Sequence, residues 1–262
     1  MSERFGLTGL LDSRSSTWPT SRTRLLGLAA ILAAMTSGAA TWGAEPLDGE
    51  LLITTFSIVG CDPTTGEVGA AVASMYPAVG RVVPTVKAGV GAFCSQYYHR
   101  PEYGPRAIEM LEKGMRPEAI LAELVREDPK PEERQLAIVD MQGRAVNRNP
   151  IGARPDAEWW GGASGKYYAV QGNTLAGRKV IVDMSAAYEE TKGTIADKLM
   201  AALKAGDDAG GDHRGRLAAG IRVAKPGVDG LWVELYVDDS KDAVNELVAK
   251  YKEWKVVEPA SK

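Results

Sequence analysis

The chain has 262 residues, of which 45% are hydrophobic and 25% charged, and a formal net charge of −3. That is the composition of a soluble globular protein with one large core or two small ones. A slightly acidic balance, with no basic run interleaved with aromatics, gives no reason to expect nucleic acid as a partner.

The N-terminus differs from the rest. Residues 1–24 carry Arg4, Arg14, Arg22 and Arg24, and residues 25–35 are the apolar run LLGLAAILAAM, followed by the small residues TSGAA. A basic region, a short apolar stretch and a small-residue exit describe a secretory signal peptide. Cleavage is expected after Ala40 or Ala44. The run is too short to span a bilayer comfortably, so no stable membrane span is expected; an uncleaved anchor is the alternative. Residues 1–44 therefore read as a signal peptide with a basic extension, and residues 45–262 as one domain, exported to the periplasm or beyond. Export bears on Cys61 and Cys94. An oxidising compartment permits a disulfide, two buried thiols are the alternative, and a Cys94 nucleophile with His99 as base is a third option.

TFSIVGC alternates, with Phe56, Ile58 and Gly60 on one face and Thr55, Ser57, Val59 and Cys61 on the other. DPTTG is turn chemistry. EVGAAVAS is small or apolar on both faces after Glu67, as in a strand buried on both sides. Residues 81–98 read as extended segments broken at Pro84 and Gly89. Two helices follow, one with Ile108, Leu111 and Met115 at helical spacing and Pro105 in its first turn, the next with Ile120, Leu121, Leu124 and Val125. QLAIVDMQGRAV reads as a hairpin. Residues 149–166 read as irregular, YYAVQGN as a strand, and residues 180–203 as a long helix with a break expected at Gly193. LAAGIRVAK and LWVELYVDD flank a turn. The last element is an amphipathic helix capped by Asp239 or Ser240, with Val244, Leu247, Val248 and Tyr251 buried. About seven strands and four helices, with strands as adjacent hairpins, predict an α+β fold with mostly antiparallel sheet. Doubly buried strands need cover on both faces, which two stacked sheets with helices outside would provide.

TFSIVGCDPTTGEVGAAVAS, AGVGAFCSQ, YGPRAIEML, YAVQGNTLAG, AGGDHRGR and YVDD occur in this order. Together they resemble a widespread bacterial family of unknown function assigned to the Ntn-hydrolase-like superfamily. The resemblance covers residues 54–254 and implies a four-layer αββα sandwich. It also implies amide-bond hydrolysis by an N-terminal Thr, Ser or Cys whose own α-amine is the base. That amine titrates at about 7.7–8.0, so part of it is neutral near pH 7. The matching residue is Thr55. LLIT and the signal peptide precede it, so a second cut before Thr55 is required. Two segments depart from the family pattern. VNRNP at residues 146–150 stands where relatives read His-Thr-Gly, and Leu217-Ala218-Ala219 stands where they read Gln-Ser-Ala. Polar groups lost from a site loop imply altered specificity or lost activity.

Among individual residues, Thr55 is the candidate nucleophile; the alternative is a β-branched strand residue packed between layers. Asn173 suits an oxyanion or substrate contact, and Gln171 similar work, because a fixed amide N–H stabilises developing negative charge; a polar turn closing the strand is the alternative. Ser95 and Gln96 either line a pocket or mark emergence into solvent. Asp212, Arg214 and Arg216 share a Gly-rich loop and suit a clamp on a substrate carboxylate; a local ion-pair network is the alternative. Trp159 and Trp160 offer a sugar-stacking platform or plug the core. His99 and His213 are the only histidines, with no spaced ligand cluster, so neither metal nor cofactor is expected. The leading expectation is an exported Ntn-hydrolase-like amidohydrolase acting on a small-molecule or peptide-like substrate. The runner-up is a non-catalytic exported protein binding peptidoglycan or another wall glycan on the same scaffold. A homo-oligomer is left open.

Overall fold

Period-two alternation sets the centre of the molecule. The computed structural model describes residues 51–152 and 159–257, so the expected signal segment and its cleavage sites lie outside the described residues. A short strand, β1 (Leu51–Ile53), leads directly into β2 (Thr55–Asp62), which forms an antiparallel hairpin with β3 (Glu67–Ser74). Gly66 closes the turn at φ +74°, a backbone that favours glycine. Phe56 and Ile58 point to one face of β2 and Val59 and Cys61 to the other. Every residue of β3 is buried, so its alanines and Gly69 let the layers on both sides come close.

A four-residue helix, α1 (Val79–Val82), precedes β4 (Pro84–Lys87) and the long β5 (Gly91–His99). Helices α2 (Tyr103–Glu112) and α3 (Pro117–Arg126) follow, then the hairpin β6 (Arg134–Asp140) and β7 (Ala145–Arg148). Next come β8 (Gly161–Gly165) and β9 (Tyr168–Gly172), then helices α4 (Lys179–Glu190) and α5 (Ile195–Asp208). The chain ends with β10 (Ala218–Ala224), β11 (Val233–Val237) and α6 (Ala243–Val257). One break replaces the long helix expected over residues 180–203. Gly193 takes φ +125°, and Thr194 then starts α5 with a reciprocal capping box to Asp197.

The strands form two antiparallel sheets. One runs β11-β10-β3-β2-β9-β8. The other runs β1-β5-β6-β7, with β4 pairing along the same edge of β5 as β1. Three apolar clusters hold the layers. The first joins the six-stranded sheet to α4, α5 and α6 through Phe56, Leu199 and Leu247. The second joins facing sides of both sheets, Val59, Val72 and Cys61 meeting Ala92, Cys94 and Ala137. The third joins the outer side of the five-stranded sheet to α2 and α3 through Phe93, Ile108 and Ile120. Each fully buried Ile, Leu or Phe in these clusters contributes about 1.5–3 kcal/mol. The result is a mixed α+β fold with two antiparallel sheets and, among the described residues, six helices.

The eleven strands and six helices among the described residues exceed the expected seven and four. The elements with no counterpart in the sequence reading are short, β1, β8 and α1, with three to five residues each, whereas β4 lies in a segment read as extended and β7 is the second strand of the expected hairpin. Met115 falls beyond α2 and is exposed, so the buried stripe is Ala107, Ile108 and Leu111 instead. Cys61 and Cys94 are free thiols buried between the sheets. Among the described residues no helix is long and apolar enough to cross a membrane.

Candidate functional site

On the faces that the two sheets turn toward each other, side-chain polarity is segregated by end. Along β2 the inward residues run Thr55, Ser57, Val59, Cys61; along β6 they run Gln135, Ala137, Val139. On β5 they run Ala92, Cys94, Gln96, and on β9 they run from Ala169 to Gln171, with Asn173 just beyond. Every one of these runs is apolar at one end of the layer and polar at the other. The polar ends meet.

Gln135 is the hub. Its Oε1 accepts from Gln96 Nε2 at 2.8 Å and from Asn173 Nδ2 at 2.7 Å. Its Nε2 donates to Gly172 O at 2.8 Å and to Asn149 Oδ1 at 3.0 Å. Ser57 Oγ donates to Gln96 Oε1 at 2.6 Å, and Gln96 Nε2 also reaches Thr55 O at 3.2 Å. The Asn173 backbone N–H donates to that same Thr55 oxygen at 2.9 Å. Gln171 Nε2 lies at 3.5 Å from both Ser57 Oγ and Cys94 O. These are neutral hydroxyls and amides, so the network holds no side chain able to act as a base near pH 7.

Three buried oxygens here have no hydrogen-bond partner: Thr55 Oγ1, Gln171 Oε1 and Asn173 Oδ1. Leaving a buried polar group unmade costs about 1–3 kcal/mol, so orphans gathered at one place require an explanation. Backbone strain gathers there too. Thr174, next to Asn173, takes φ +52°, an uncommon conformation for a β-branched residue. Its hydroxyl donates to Asn173 O at 2.6 Å and its carbonyl is held by His213 N–H at 3.0 Å. Strain of this kind persists where the surroundings over-determine it, as they do at functional sites.

The Gly-rich loop reaches the rim. Asp212, fully buried, bridges to Leu175 through backbone pairing and holds the Arg214 guanidinium with both oxygens, at 3.0 and 2.6 Å. Arg214 in turn donates to Thr54 Oγ1, the residue before the candidate nucleophile. Arg216 parts from them and pairs with Asp207 at the end of α5. Ser95 parts from Gln96, because alternation along β5 turns it to the opposite side, where its Oγ accepts from Arg100 N–H at 3.4 Å. The structure thus brings together Thr55, Gln96, Gln171 and Asn173, sets Asp212 and Arg214 at their edge, and leaves Ser95 and Arg216 outside. His99 turns its Nδ1 to Ser95 O at 2.9 Å, away from Cys94. Burial pushes the Cys61 and Cys94 thiols up to about 12, as befits inert core residues. Trp160 donates to Pro150 O at 3.2 Å, whereas Trp159 lines a separate groove beside α4.

Gln135, Asn149 and Ser74 escape a reading by residue type. Parity would have found Gln135, since it shares a face with the inward Ala137 and Val139. Asn149 belongs to the VNRNP segment that departs from the resembled pattern, so that departure supplies the network with a new member. Ser74 sits opposite Thr55 in the β2–β3 register and donates at 2.5 Å to Thr54 O. Of three surface cavities of about 300, 590 and 520 Å³, the first two are lined by other residues, and the third, beside α4, meets the network only at Asn149. Among the described residues no group of three or more His, Cys, Asp or Glu is placed to hold a metal ion.

The model of a family of unknown function, DUF1028, matches residues 55–247. The crystal structure of a Silicibacter pomeroyi protein described as DUF1028 is similar at a TM-score of 0.69 and 26% identity, over 77% of this chain and 89% of that one. No curated protein matches the chain. The match starts at Thr55 and runs through every strand that contributes to the network, and the chain belongs to DUF1028, a family of unknown function.

Proposed function

We propose that this is an exported Ntn-hydrolase-like protein that hydrolyses an amide bond in a small-molecule or peptide-like substrate, with Thr55 as nucleophile once its amine is free. The Thr54–Thr55 peptide bond carries this reading. Its carbonyl oxygen accepts from Ser74 Oγ at 2.5 Å, and that hydroxyl is itself held by Tyr76 N–H at 2.8 Å. Beside it lies Thr55 Oγ1, buried and without a partner. A hydroxyl held by nothing, next to a polarised carbonyl, suits an N→O acyl shift. The Oγ1–C bond forms, the C–N bond breaks, and the hydroxyl proton passes to the leaving Thr55 nitrogen. Water then hydrolyses the ester, giving a Thr54 carboxylate and restoring the hydroxyl. The freed amine, with a pKa of about 7.7–8.0, supplies the base that the network lacks.

The family's assignment to that superfamily, and the four-layer αββα sandwich over residues 45–262, belong to the same proposal. Support comes from the apolar cluster between the sheets and the two that seat helices on their outer faces. Export draws support from the basic, apolar and small-residue order of residues 1–44. Asn173 and Gln171 are proposed to face the substrate through their orphan oxygens, with Arg214 at the rim to receive a carboxylate. Intact mass and N-terminal sequencing of the exported protein test the mechanism. A chain starting at Thr55 is expected, and a stable chain starting at Thr41 or Glu45 removes the free-amine route. Thr55→Ala then abolishes amidase activity on N-acyl amino acid amides.

One observation favours a second reading, an exported binding protein for a wall glycan. Thr54 and Thr55 are buried and β1 is paired along β5, which closes the site. Under that reading Thr55→Ala leaves pull-down by peptidoglycan unchanged.

A further inference from the structure

We propose that the edge formed by β8 and α4 is an interface with a second copy of this chain. Strand β8 ends the six-stranded sheet, and among the described residues nothing pairs with its outer side. Its sequence, GGASG, has none of the charges or prolines that keep an exposed edge from pairing. The opposite edge strand, β11, carries Glu234. Beside β8 runs a groove of about 520 Å³ between the strand and α4, with Trp159 in its wall and Val182 half exposed on its lip.

The charges of α4 point to the occupant. Arg178 and Lys179 stand at its N-terminus and Glu189 and Glu190 at its C-terminus, with no acidic residue in the first turn and no basic residue in the last. That arrangement opposes the helix's own dipole, which favours anions at the N-terminus and cations at the C-terminus. Lys179 also pairs with Asp183 one turn along and Glu189 accepts from the Tyr168 hydroxyl, but among the described residues Arg178 and Glu190 have no such partner, and a lone helix gains nothing from their placement. A two-fold axis through Ala163 that pairs β8 with its copy also lays the two α4 helices side by side and antiparallel. Arg178 then faces Glu190 of the second copy, Lys179 faces Glu189, and Val182 meets Ala186 over the groove. The helix dipoles also run opposed, which is favourable. One patch thus complements itself, as an isologous contact requires. No peptide or glycan is needed to account for the charge order.

Sedimentation velocity and light scattering of the full chain test this. The wild type is expected to be a dimer at micromolar concentration. R178E/K179E places like charges across the axis and should weaken dimerisation by about 100-fold or more. The same change restores the favourable dipole while it removes the exposed Lys179–Asp183 pair, two small opposed effects, so its melting temperature as a monomer should change little, which separates interface loss from misfolding. E189R/E190K should likewise be monomeric alone, and mixing the two variants should restore a dimer. A monomeric wild type overturns the proposal, as does a dimer that survives both reversals.

Discussion

At the scale of residues, Thr55 is the sharpest case because its two roles predict opposite costs. Its hydroxyl is buried with no partner, so the fold bears a desolvation penalty and receives no bond in return. Thr55→Val, nearly isosteric, should therefore raise the unfolding free energy by about 1 kcal/mol in urea titration. It should also abolish cutting at Thr54–Thr55. A threonine kept for packing alone would show no such trade of activity against stability. The resemblance singled out Thr55, and residue type found Gln171 and Asn173, because an amide at the end of an apolar strand stands out in the sequence. Gln135 and Ser74 were hidden for the same reason reversed. Each sits at a strand end beside a polar loop or turn, where a polar residue is ordinary, and only pairing across strands gives them partners.

At the scale of elements, alternation made the long strands legible and left the short ones unread. The hairpin motif reached β7 and the extended segment reached β4, but the few residues of β1 and β8 hold too little pattern to separate a strand from a loop, and each forms by pairing along a neighbour, β5 or β9. The same scale carries two predictions. Where α3 meets β6, Asp128 and Arg134 form a fully buried pair at 2.6 and 2.8 Å, joined by the Tyr103 hydroxyl. Burial pushes the Asp128 carboxyl up, but Arg134, Tyr103 and the Lys130 N–H together outweigh it and hold it at about 2. A folded pKa below the unfolded one gives stability that is complete above about pH 4 and is lost as pH falls toward 2. The loss should be about 2 kcal/mol, and Asp128→Asn should flatten that limb of a stability–pH curve measured in urea. The two thiols face each other's sheets with burial holding them near 12. A thiol reagent should label no cysteine in the native protein and two after denaturation; a disulfide would leave both unlabelled until reduced.

At the scale of the whole molecule, the polar end of the inter-sheet layer exists only because four strands from distant parts of the chain stop being apolar at the same level. Within any one strand this is only one or two polar residues, which is why the layer could be expected from the sequence while its polar end could not. The strand β1 closes that end, continuous with Thr55 through the peptide bond whose carbonyl Ser74 holds. Under the proposed mechanism Ser74 serves processing rather than turnover, and the two are separable. Removing one donor from a developing oxyanion slows a reaction by about 10²–10³-fold, so Ser74→Ala should slow the cut at Thr54–Thr55 by about that factor, read by intact mass over time. A chain begun at Thr55, after removal of an initiating methionine, has no Thr54 carbonyl to polarise. In that shortened chain Ser74→Ala should keep the amidase activity of its unsubstituted parent. Loss of activity in both forms would mean that Ser74 only packs the strand end. Rescue in the shortened chain alone ties the serine to the bond before Thr55.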